Sequence, residues 1–78
     1  MDESELLEII KQARAEWRGV RNLRLELRDS LISGGMTRQE LRKERAYREL
    51  KKKQQHLSRI IRHLEKKYNR KRSAADNS

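Results

Sequence analysis

Ser33-Gly34-Gly35-Met36-Thr37-Arg38-Gln39-Glu40 carries the decision about the fold of this chain. Two adjacent glycines are free to take the left-handed conformation that ends a helix. Thr37 then reads as an N-cap, and Glu40 three positions on completes a capping box. Met36 before the cap and Leu41 at the fourth helical position have the spacing of a hydrophobic staple, which accounts for Leu41 lying off the apolar seam that follows it. One helix is expected to stop here and another to start.

Working outward, the residues before the glycines repeat at alternating spacings of four and three: Leu6, Ile10, Ala13, Trp17, Val20, Leu27 and Leu31, with Arg24 filling the one gap. After them the same alternation runs through Tyr47, Leu50, Gln54, Leu57, Ile61, Leu64 and Tyr68. Both are heptad seams of amphipathic helices, and period-two alternation appears nowhere. The reading is an all-α, antiparallel two-helix hairpin over residues 1–72, with helix 1 at about 3–33, a Gly-Gly loop at 34–36 and helix 2 at about 38–70; residues 73–78 read as a disordered tail. Across the hairpin the seams meet as Leu6 with Leu64, Ile10 with Ile61, Ala13 with Leu57, Trp17 with Gln54, Val20 with Leu50 and Arg24 with Tyr47. That pairing sets Arg24 over the Tyr47 ring, and the acidic Asp2, Glu3, Glu5 and Glu8 beside Arg62, Lys66, Lys67 and Arg70.

Two helices leave one side of their seam open, and so small a scaffold buries too little to balance its conformational entropy. Association is the expected remedy: a homodimer completing a four-helix bundle. Its interface is assigned to Ile9, Trp17, Leu23, Ala46, Lys53 and Ile60, on or just beside the seam, with Glu16 and Lys53 placed to pair at mid-length. The seam residues Leu6, Ile10, Leu57, Ile61 and Leu64 are expected to join it.

Composition narrows what such a hairpin does. Of 78 residues, 33% are apolar and 42% charged, with no cysteine and no proline. The core is therefore a narrow stripe without disulfides or thiolate metal sites. No apolar run exceeds two residues, so neither a signal peptide nor a spanning helix is expected, and the reading is an intracellular protein. A membrane-surface role is set aside because the apolar faces already match each other.

The net charge of +9 is unevenly spread. Residues 1–33 hold six basic and seven acidic side chains, whereas residues 34–78 hold fifteen and five. Arg38, Arg45, Lys52, Arg59 and Lys66 recur every seven residues opposite the second seam, forming a ridge about 42 Å long, with Arg48, Arg62 and Arg70 beside it. Such a ridge suits the phosphates of DNA or RNA, whose neutralisation releases counterions; the alternative is an acidic protein surface on which the hairpin docks as an adaptor. The basic end from Lys66 to Arg72 would also serve for nuclear import in a eukaryotic cell.

Catalysis finds no footing. His56 and His63 lie seven apart, too far along a helix for one metal ion. The carboxylates sit among arginines and lysines at ion-pair spacings, and Ser30, Ser33 and Ser58 have no base beside them. No enzyme activity, metal, cofactor or small-molecule substrate is expected.

Overall fold

The computed structural model describes residues 2–76. Helix α1 spans Glu3–Ser33, a short α2 spans Arg38–Lys43, and α3 spans Arg45–Asp76. The long helices α1 and α3 pack antiparallel along a body about 60 Å long and 16 by 15 Å across. Asp2 caps α1, its side chain accepting from the Glu5 amide at 2.8 Å.

The turn follows the local chemistry of its residues. The amide of Met36 donates to the Leu31 carbonyl and that of Gly35 to the Ile32 carbonyl, each at 3.0 Å, while Gly35 sits at φ 100°. This is a Schellman stop, and the residue in the left-handed position has no Cβ to clash. Thr37 caps α2 through the Glu40 amide at 3.2 Å, and the Thr37 hydroxyl meets the Glu40 carboxylate at 3.0 Å. Met36 is half-buried and Leu41 is buried, as a staple requires.

The second helical segment is broken where an unbroken helix was expected. Glu44 takes extended backbone, φ −68° and ψ 123°, although neither glycine nor proline is near. Leu41 supplies the reason. It precedes Tyr47 by six residues, so on one straight helix it would lie roughly 120° around from the seam and face water. The break turns α2 independently, and both side chains enter the core, at 5% and 9% exposure. A chain kink is exchanged for a buried leucine. At its other end α3 continues through Ser73, Ala74, Ala75 and Asp76 where a disordered tail was expected; no helix breaker occurs there, and alanine is the strongest helix former. Residues 77 and 78, the remainder of that tail, and Met1 lie outside the described residues.

The core is as narrow as the composition requires: Leu6, Ile10, Val20, Leu41, Tyr47 and Leu57 are its buried members. Ile61, Leu64 and Tyr68 of the second seam are half-buried. At mid-length the seam turns polar. The Arg24 guanidinium donates to Gln54 Oε1 at 2.7 Å and to the Tyr47 hydroxyl at 3.1 Å. Its carbon lies 5.8 Å from the Tyr47 ring centre, near the outer limit of a cation–π contact, so the hydrogen bond is the stronger tie.

Trp17 does not face Gln54 as the pairing expected. Its indole N–H donates to Ser58 Oγ at 2.9 Å, and the Ser58 hydroxyl donates on to the Gln54 carbonyl at 3.1 Å. Helical side chains lean toward their own N-terminus. On α1 that lean carries Trp17 toward higher numbers of the antiparallel α3, beyond Gln54 to Ser58.

Candidate nucleic-acid interface

The hairpin has two unlike edges, defined by which flanking residues touch. On one, Arg14 pairs with Glu65 at 2.9 Å; on the other, Lys53 stands 3.9 Å from Glu16. Residues at heptad steps from these pairs share their edges. The first edge carries Arg14, Arg21 and Arg28 of α1 and Lys51, Ser58, Glu65 and Arg72 of α3. The second carries Ile9, Glu16 and Leu23 of α1 and Ala46, Lys53, Ile60 and Lys67 of α3.

Cations dominate the first edge and the outward face of α3. Arg45, Lys52, Arg59 and Lys66 lie on α3 one heptad apart, all exposed. At 1.5 Å per residue they form a ridge about 32 Å long. Arg38 does not extend it, because the break at Glu44 places that residue on α2. Arg48, Arg62 and Arg70 are exposed on the same helix. Among the described residues, none of these eight cations has an acidic partner within 4 Å; the ion pairs are those of Arg14, Arg28 and Lys53. Asp2, Glu3, Glu5 and Glu8 likewise form no ion pair with the basic end of α3, so the match between the two ends is one of overall field.

The break gives the basic surface an elbow. A groove of about 560 Å³ lies between the end of α1 and the α2–α3 corner, lined by Arg28, Asp29, Arg38, Arg42, Lys51 and the apolar Ile32, Leu41 and Tyr47. A second concavity of about 330 Å³ shares Arg42, Tyr47 and Lys51 with it and reaches Arg48 and Lys52. Arg38, displaced from the ridge, thus joins a cluster in which six cations, Arg28, Arg38, Arg42, Arg48, Lys51 and Lys52, outnumber the single Asp29. The reading from sequence missed this groove because it requires the kink, and the signal available was the six-residue offset between Leu41 and Tyr47.

The second edge is apolar and ion-paired. Leu23 is 55% and Ile60 37% exposed; Ile9 is half-buried, and Ala46 and Lys53 are exposed. Trp17 belongs elsewhere: its partner Ser58, and Arg21, whose guanidinium carbon is 5.8 Å from the ring centre, both lie on the basic edge. Leu6, Ile10 and Leu57 are spent inside the hairpin. A partner would meet Ile9, Leu23, Ala46 and Ile60, not the seam.

His56 and His63 are both exposed. Among the described residues no three His, Asp or Glu side chains gather as metal ligands. No described helix is long and apolar enough to cross a membrane. No protein-family model, no curated protein and no solved structure matches this chain.

Proposed function

We propose that this chain is a non-enzymatic, self-associating helical hairpin that binds nucleic acid through its phosphates. The observation that carries the reading is the row of exposed cations on α3, which lack acidic partners among the described residues while α1 holds nearly balanced charge. A solvated face needs no such imbalance, since mixed signs keep a surface soluble. Guanidinium and ammonium groups spaced along one helix suit a regularly charged backbone. The three aromatics, Trp17, Tyr47 and Tyr68, all lie along the seam and are buried or half-buried, so they offer no row of exposed rings for stacking bases. Binding is therefore tolerant of sequence and steep in salt.

The test compares the natural chain with the variant carrying Arg45→Glu, Lys52→Glu and Arg59→Glu on a mixed-sequence duplex and on single-stranded RNA. Four ridge contacts give a log–log salt slope of about −3.6 on duplex DNA, so a fourfold rise in salt weakens binding about 150-fold. The variant is expected to keep its helix content and lose the binding. Unchanged affinity in the triple variant would refute the reading.

A second reading has its own observation, the mixed character of the elbow groove. Arginines and Lys51 rim a floor of Ile32, Leu41 and Tyr47, a combination suited to an acidic segment with apolar side chains. On that reading the hairpin is an adaptor for an acidic protein, the apolar contacts make binding less steep in salt than phosphate contacts alone would, and Ile32→Asp, a change at an exposed residue, affects it more than the ridge variant does.

A further inference from the structure

We infer that two copies of this chain join through the Ile9–Ile60 edge with their two-fold axis parallel to the helices, placing both loops at the same end and α1 of each copy against α3 of the other. The inference rests on the self-association proposed above and specifies its geometry.

The edge is a column of alternating character. From the free end toward the loop, α1 presents Asp2, Ile9, Glu16 and Leu23, and α3 presents Lys67, Ile60, Lys53 and Ala46, each a heptad apart. The proximity of Glu16 and Lys53 fixes the heights of the two columns against each other. Asp2 thus shares a level with Lys67, Ile9 with Ile60, Glu16 with Lys53, and Leu23 with Ala46. Levels alternate between opposite charges and apolar pairs.

A second copy laid face to face on this edge has two symmetric options. With the axis along the helices, α1 lies on α3 of the other copy at equal height. Every level then meets its own complement: apolar residues meet apolar ones, and two Glu16 and two Lys53 form a ring of alternating sign. With the axis across the helices, α1 lies on α1 and α3 on α3, both reversed. Glu16 then faces Glu16 and Lys53 faces Lys53, or a slide along the bundle sets these charges against Leu23 and Ala46 in one direction and against Ile9 and Ile60 in the other. With the slide that sets Lys53 against Ile60, Lys67 of each α3 also lies over Ala46, at the basic start of the other. Like charges at close quarters disfavour this option. Only the first option satisfies both the middle and the ends.

The apolar part of the edge runs from Ile9 to Leu23, about 21 Å, so the dimer is dissociable and forms with rising concentration. Because the chain has no cysteine, single thiols report the register without background. The experiment mixes a Leu23→Cys chain with an Ala46→Cys chain under mild oxidation, each checked for helix content by circular dichroism, with the mass of the natural chain followed against concentration. The expected result is a mass rising to twice 9.4 kDa and a mixed Leu23→Cys/Ala46→Cys disulfide, with no link in either chain alone. A dimeric mass with links between Ile9→Cys and Leu23→Cys, or between Ala46→Cys and Ile60→Cys, would overturn the register and leave self-association standing. A mass of one chain at every concentration, with no links, would overturn the self-association itself.

Discussion

Ile10 is the most deeply enclosed side chain of the hairpin, at 1% exposure, and truncating it to alanine tests whether the α1–α3 seam holds the molecule together. The change removes three carbons from a site shut off from water. At about 0.8 kcal/mol for each, the transfer term is near 2.4 kcal/mol. Two corrections pull in opposite directions. A cavity term adds to the loss, but this seam is one layer thick and its neighbours can settle into the gap, which keeps the total in the lower half of the roughly 2–5 kcal/mol range for such truncations. Alanine also returns a few tenths of a kcal/mol through helix propensity. The expected loss is about 2–3 kcal/mol.

That is a large part of the stability of a chain this size, for which roughly 0.05–0.15 kcal/mol per residue is usual. The assay is urea unfolding followed by far-ultraviolet circular dichroism at two protein concentrations, because dimerisation adds to apparent stability by mass action. Gln12→Ala, on the exposed face of α1, serves as the control and should stay within about 0.5 kcal/mol. An Ile10→Ala loss below about 1 kcal/mol, or one no larger than the control's, would refute the reasoning, because α1 would then be helical without needing the seam.

Gly35→Ala should cost about 1–2 kcal/mol in the same assay, since φ 100° sets any Cβ against the backbone,; Gly34→Ala, at φ −80°, should cost much less. Thr37→Ala removes the N-cap of α2 and should cost about 1 kcal/mol, with faster amide exchange confined to residues 38–43. Ser58→Ala leaves the Trp17 indole N–H without its acceptor; a net hydrogen bond of about 1 kcal/mol is partly offset by alanine's helix propensity, so a loss under 1 kcal/mol with a shifted tryptophan emission is expected. If the dimer has the parallel register, the two α3 helices sit at diagonal corners with their ridges facing opposite ways. The natural chain should then bridge two duplexes in a pull-down, while Ile60→Asp binds one duplex without bridging.

What could be read from sequence was whatever depends on neighbours along the chain. The Schellman stop at Gly35, the Thr37 N-cap and the heptad seams are written in residues at most seven apart; Glu40 accepts from the Thr37 hydroxyl and not from the Thr37 amide that a full capping box uses,. The Arg24–Tyr47 and Glu16–Lys53 contacts follow from the seams once the turn is known. The break at Glu44 was not legible in the same way, because it has no local breaker. It arises from competition between a continuous backbone and the burial of Leu41, and the balance depends on the surface that α1 offers. The placement of Trp17 was missed for a related reason: heptad letters mark where a Cα sits, whereas a long side chain leans a turn further toward its own N-terminus. The elbow groove inherits both causes, since it exists only because α2 turns away from α3.

On the proposed function, the two edges of the hairpin divide work that one surface could not combine. A cationic edge repels a second copy, and an apolar edge gives phosphates nothing to neutralise. Here Arg14 and Glu65 close one edge and Arg21 lies 5.8 Å from the Trp17 ring centre, while a row of cations without acidic partners among the described residues runs along the outer face of α3. The apolar levels of Ile9, Leu23, Ala46 and Ile60 lie on the other edge, separated by the Glu16–Lys53 level. That charged level adds little energy in water. Its value is selective, because a reversed copy centred on this level sets Glu16 against Glu16, and one slid by a single level sets it against an apolar residue. On that proposal the seven-residue period that builds the seam also spaces the ridge and would key the dimer, one repeat read on three faces of the helix.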